Sequence, residues 1–174
     1  MRIECGGKLC STDDTEKQLK FFASSCRKYG FRVKNAFKLC FANGTELDAL
    51  DADADILGYL LNASSAEYTI EKMCAEYGVP YYNELGENAD IASLSALCDT
   101  LKKEVAAAGM EKLFNEIEQP LTEVLASMEY YGVKVDSDGV REFGKRLETD
   151  IEDCEQKIYF MAGHEFNISS PKQL

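Results

Sequence analysis

Histidine occurs once among the 174 residues, no Cys-x-x-Cys pair is present, and basic residues are outnumbered by acidic ones, 19 to 31. Each shortage excludes something. Catalysis centred on His164 would need positioned partners, and no Ser/Asp or Cys arrangement lies near it, so it reads as a turn residue. The seven cysteines (Cys5, Cys10, Cys26, Cys40, Cys74, Cys98 and Cys154) are odd in number and scattered. They signal neither a disulfide framework nor a zinc site, and read as reduced thiols of a cytoplasmic protein. No apolar run approaches the ~18 residues of a membrane span. The residues after Met1, "RIECGGKLC", are broken by charge and glycine before a signal-peptide core can form. A soluble chain without a membrane partner is expected. Without export, the Asn-x-Ser/Thr triplets at Asn43, Asn62 and Asn167 are coincidental. The net charge of −12 argues against a generic nucleic-acid surface, because phosphate binding depends on Lys and Arg displacing counterions. Any contact with DNA must be local.

What is present is a run of periodic segments. Residues 11–30 open with cap candidates, place Leu19, Phe22, Ala23 and Cys26 on one face and reach Gly30, predicting one helix. "FRV" (31–33) and "FKLCFA" (37–42) are aromatic and β-branched, and the Asn43-Gly44 turn follows them, predicting short strands. Helices are expected from Asp53 to Leu61 and within "TIEKMCAEYG" (69–78), then an aperiodic connector over 79–88. The acidic run "LDALDADAD" (47–55) lacks the glycine and twelfth-position Glu of an EF-hand. It reads as a solvated loop, with Asp53 capping or packing near the next helix. Three longer helices follow over 88–108, 110–131 and 137–162, each stopped by a glycine (Gly109, Gly132, Gly163), with "VKVD" permitting a brief extended stretch. Pro120 falls inside the second of them, where its missing N–H and its ring predict a kink near 116–119. The third carries Val140, Phe143, Leu147, Ile151, Cys154, Ile158 and Met161 as one narrow seam. The fold class is therefore α/β, mainly α, with a sheet too thin to stand alone. At the end, Ser170, Pro171 and Gln173 have the spacing of a helix start, where backbone N–H groups and Lys172 would make a local anion site.

"LFNEIEQPLTEVLASMEYYGVKVD" and, after the long helix, "AGHEFNISSPKQL" closely resemble the entry into the polymerase domain of bacterial DNA polymerase I, the family A DNA polymerases. The likeness is specific over 110–174 and looser over 53–77. It implies a truncated, ribonuclease H-like 3′–5′ exonuclease-like domain with a small sheet over 1–109 and the thumb-base helices over 110–174. It also implies that the chain is a piece, with more of the protein before Met1 and after Leu174. The parent would extend a primer on a DNA template, using Mg²⁺ and deoxynucleotides bound by parts outside this chain.

The proofreading chemistry of that family needs carboxylates converging on two divalent ions. Setting the family's Lys-Tyr-Asp segment on "KFFASSCRKYG" places Phe22 at a carboxylate position. Matching its Ala-Asp-Val to Ala89–Ile91 places Asn88 at the second carboxylate and Glu84 at a tyrosine; moving the register to use Asp90 places Gly86 at that tyrosine instead. The resemblance thus implies a degenerate exonuclease with no metal or cofactor of its own. It assigns DNA contact to Asn167, Ser169, Ser170 and Lys172. The competing readings are an active 3′–5′ exonuclease and a stand-alone helical protein-interaction module. The seam of the last helix implies self-association.

Overall fold

The computed structural model describes residues 1–5 and 8–170. They form two compact units, Met1–Gly132 and Val133–Leu174.

The first unit opens with an antiparallel hairpin, β1 (Arg2–Cys5) and β2 (Lys8–Ser11), in the register Arg2 opposite Ser11. Helix α1 (Thr15–Phe22) starts where Asp14 accepts hydrogen bonds from the N–H groups of Glu16 and Lys17. It stops eight residues before Gly30, against expectation. Lys28 explains the shortening: its ammonium donates to the carbonyls of Ser24, Cys26 and Asp48 and so holds the chain in a turn. Residues Lys28–Gly30 then form strand β3.

The strands expected over 31–33 and 37–42 are also corrected. Helix α2 spans Lys34–Ala42 and buries Phe37 and Cys40, three residues apart, while Phe37 and Phe41 stack four residues apart with centroids at 6.5 Å. That spacing is helical, and tertiary packing overrides the β propensity of the side chains. Gly44, at φ +64°, serves the turn after the helix. The acidic run is likewise not a solvated loop. Leu50–Asp53 is strand β4, paired parallel to β3 with Tyr29 opposite Ala52 and Gly30 opposite Asp53. A minimal β-α-β unit results, and Asp53 caps helix α3 (Ala54–Leu61) as expected.

Helix α4 (Ile70–Glu76) is capped by Thr69, and a tight 3₁₀ segment, Asn83–Asn88, replaces the featureless connector. Helix α5 (Ala89–Ala107) is the spine of the unit. Its Leu94, Leu97, Cys98, Leu101 and Val105 are buried in one cluster with Leu57 of α3, Met73 and Cys74 of α4, and Phe114. Gly109 turns the chain at φ +72° into α6 (Glu111–Leu113), a π-helical turn over Phe114–Glu118, and α7 (Gln119–Tyr131). The irregularity expected from Pro120 is this wide turn, which ends just before the proline. Ala126 of α7 packs on Val33 and Phe37, and Lys34 and Lys38 reach Glu129 at 2.6 and 3.0 Å.

The second unit is built on α8 (Ser137–Ala162), which has the expected bounds. Asp136 caps it by accepting from the N–H of Gly139, and Gly163 ends it at φ +73°. Residues 133–136 form no strand. Beyond the helix, Phe166 returns to meet Tyr159 edge-on at 5.9 Å.

Candidate functional site

In the first unit the ends of α1, β3 and α5 enclose a cleft of about 340 Å³, lined among others by Phe22, Lys28, Phe31, Asp90, Ile91 and Leu94. Phe22 is the last residue of α1 and is 8% exposed, so its ring is a wall of this cleft and not a ligand-seeking group. The start of α5 forms another side. Asn88 is half-buried at the N-cap position of α5 with no side-chain capping bond, and Glu84 is exposed on the 3₁₀ segment. Two residues that the alignment treats separately are thus close to one feature: Phe22 lines the cleft, and Asn88 sits between two of its lining residues, Glu87 and Asp90. Glu84 does not line it.

The polar groups of the cleft are engaged with protein partners. Tyr81 donates to Asp90 at 2.9 Å, and this bond to a carboxylate raises the phenol to about 12. Tyr29 donates to Asp99, and Lys28 is spent on its three carbonyls. Burial lowers the affinity of the Lys28 amine for its proton, against the charges of the Asp48 and Cys26 side chains, which favour the ammonium. Sequence reasoning missed the Tyr81–Asp90 pair because the two residues are nine apart and Tyr81 lies inside the segment it left aperiodic.

A second polar centre sits behind the cleft. Asp53, 2% exposed, accepts from the N–H groups of Arg32 and Val33, both at 2.9 Å, and of Asp55 at 3.1 Å. Arg32 is at φ +56°, so the carboxylate holds a left-handed turn as well as capping α3. Burial raises the Asp53 carboxyl above the usual range, against the pull of these three bonds. Gln119 completes the arrangement: its Oε1 accepts from the Asp53 N–H at 3.1 Å and its Nε2 donates to the Leu50 carbonyl at 3.4 Å, so a side-chain amide serves β4 as a neighbouring strand would. Nearby, Asp51 accepts from Arg27 and Lys102, both at 2.8 Å. Burial pushes its carboxyl up, but the two cations outweigh that and hold it below the usual range.

A divalent-cation centre for phosphoryl chemistry needs several converging carboxylates. The cleft offers Glu87 and Asp90, the latter already bound to Tyr81, and among the described residues no group of three or more His, Cys, Asp or Glu is placed to hold a metal ion. This donor set does not fit Mg²⁺.

In the second unit, Asn167 accepts from the Ser169 N–H through Oδ1 at 3.0 Å, and its carbonyl accepts from the Ser170 N–H at 3.0 Å. The side chain shapes the turn that presents Ser169, which is exposed, while Ser170 is half-buried. Lys172 and the helix start expected at Pro171 lie outside the described residues. His164 sits in a bend, its Nδ1 3.1 Å from the Ala162 carbonyl. Among the described residues no helix is long and apolar enough to cross a membrane.

Comparison with solved structures gives the class first. The POL domain of Pol1 from M. smegmatis, in complex with DNA primer-template and dNTP, superimposes with a TM-score of 0.74 over 93% of this chain and 29% of its own, at 21% identity. The fold is that of a segment of a polymerase domain. No family model matches the chain. Sequence relatives are more specific: DNA polymerase I of Geobacillus stearothermophilus is 43% identical over 168 residues, 85% of this chain and 19% of its own length. DNA polymerase I of Streptococcus pneumoniae is 31% identical over 194 residues, 98% and 22%, and that of Bacillus subtilis 30% identical over 168, 85% and 19%. Over most of its length the chain is a homologue of DNA polymerase I. It spans about a fifth of the length of these curated relatives.

Proposed function

We propose that this chain is a catalytically inactive scaffold segment of a DNA polymerase I that acts in DNA replication and repair. Residues 1–109 are read as the end of a ribonuclease H-like 3′–5′ exonuclease-like domain, and 110–174 as the base of the polymerase thumb. The observation that carries the inactive reading is the cleft. Phe22 forms an apolar wall of it, and Asn88 stands beside it at the head of α5, where the resemblance asks for carboxylates. A phenyl ring cannot ligate a cation, and an amide adds no charge to balance one. Deoxynucleotides and Mg²⁺ belong to the parent polymerase, through residues outside this chain.

Contact with a DNA primer-template is assigned to the segment after α8, through Asn167, Ser169, Ser170 and Lys172. The turn that Asn167 builds supports this by holding the Ser169 hydroxyl in solvent, at a segment that carries little acidic charge compared with α8. A parent in the cytoplasm follows from the same reading.

The test is incubation of the 174-residue chain with end-labelled single-stranded DNA and Mg²⁺, with and without chelator. No shortening is expected in either arm. Shortening that the chelator abolishes would replace the scaffold reading with that of a working nuclease.

A further inference from the structure

The wide turn before α7 is held at both ends by residues that face inward. Phe114 is buried in the α5 cluster, and Gln119, five residues on, has its amide on β4. In an ordinary α-helix two residues so spaced point about 140° apart. In a π-helical turn the later N–H bonds to the earlier carbonyl and both fall on one face, and here the Gln119 N–H donates to the Phe114 carbonyl. Downstream, Gln119, Thr122, Ala126 and Glu129 recur at steps of three and four, so the face that serves β4 at one end packs on α2 at the other. There Ala126 is fully buried against Val33 and Phe37, and Glu129 takes Lys34 and Lys38.

We propose that Gln119 is a positioning residue that sets the register of α7, and that the wide turn is a joint with two forms. With the amide on β4 the turn stays open and Ala126 faces α2. With the amide released the turn closes to ordinary pitch. Closure adds about one residue's rotation, ~100°, and brings Leu125 round to the place of Ala126.

A π-helical turn is rare, so something must hold this one open. Pro120 favours an open turn through its missing N–H and its ring, but it is exposed and so cannot choose the face that turns inward. Asn115, Glu116 and Ile117 are exposed as well. The Gln119 amide makes that choice, through the Asp53 N–H and the Leu50 carbonyl. Those bonds also reach the cleft. Leu50 lines it, and the Asp53 carboxylate holds the Arg32–Val33 turn that lines it too, so the wall of the cleft and the register of α7 depend on one set of bonds. All of these contacts lie within Met1–Gly132 and are the same whether or not the chain serves a polymerase.

The experiment is NMR of the full 174-residue chain, with the NOE between the Ala126 methyl and the Phe37 ring reporting register and amide exchange reporting the bonds. Gln119→Met, of similar length but without polar atoms, is expected to speed exchange at Asp53 and Val33 about tenfold, the worth of one hydrogen bond, and to weaken the NOE. Pro120→Ala supplies the missing N–H and is expected to leave both unchanged. In Gln119→Met/Pro120→Ala the turn closes, the NOE is lost and the Leu125 methyls take it over. Protection at Leu97 and Leu101 of α5 is expected in every variant. Loss of the NOE in Pro120→Ala, with Gln119 intact, overturns the proposal, because the proline then sets the turn. So does a full NOE in the double variant, and so does loss of the NOE together with α5 protection, which is unfolding and not rotation.

Discussion

Lys28 and Asp53 are charged side chains withdrawn almost wholly from water, 4% and 2% exposed, and each is held by main-chain groups instead of an opposite charge. Three N–H groups converge on Asp53, which suits an acceptor-only carboxylate and not an amide. Asp53→Asn turns an NH₂ toward one of those donors and is expected to cost about 2 kcal/mol in urea unfolding. The pH dependence has a definite sign. Because the folded-state carboxyl titrates above its unfolded value, the native state keeps a proton that the unfolded state gives up, so stability falls as pH rises from the ordinary carboxylate range through the raised value. The Asn variant should lack that slope. Asp51 has the opposite sign: its lowered carboxyl stabilises the fold above the ordinary carboxylate range, and the contribution is lost as pH falls through the folded value. Lys102→Met is therefore expected to cost about 1 kcal/mol at neutral pH and much less in acid, measured by urea titration at both. The sequence offered Asp53 as a cap of α3 but not as the holder of the 32–33 turn, and Lys28 sits in a stretch that reads as the end of a helix. What the sequence could not show are the distant partners, 20 residues away or more: the Asp48 carbonyl for the lysine and the 32–33 turn for the aspartate.

At the scale of elements, the helices after residue 53 follow their periodicity because each has an apolar stripe long enough to define a face, and α8 ends where Gly163 can take positive φ. The first 50 residues do not. Strands β3 and β4 are three and four residues long, too short to show alternation, and both carry polar side chains. Helix α2 is rich in aromatics that favour strands, and only its packing on Ala126, 89 residues after Phe37, settles it as a helix. Non-local contacts decided those elements, so local pattern could not. The importance of α5 can be measured. Leu97→Ala and Leu101→Ala, both fully buried, are each expected to lose about 2–5 kcal/mol, whereas Leu125→Ala on the 42%-exposed face of α7 should lose less than about 1. Chemical denaturation of the three variants compares them directly.

For the whole molecule, the candidate site was legible in part. The family resemblance put an aromatic and an amide at two positions where it implies carboxylates; the fold has Phe22 walling a cleft, with Asn88 between two of its lining residues. What the sequence withheld was the Tyr81–Asp90 bond, which takes up one of the cleft's two carboxylates. Whether this cleft can gather a divalent ion therefore decides between scaffold and nuclease. Paramagnetic broadening by Mn²⁺ in the amide NMR spectrum of the 174-residue chain tests it most directly, with no substrate needed. Broadening that is weak and spread over the acidic surface, with no selective loss of signals at Phe22 and Glu87–Ile91, is the expected result. Selective, saturable loss of those signals at micromolar Mn²⁺ would contradict the account.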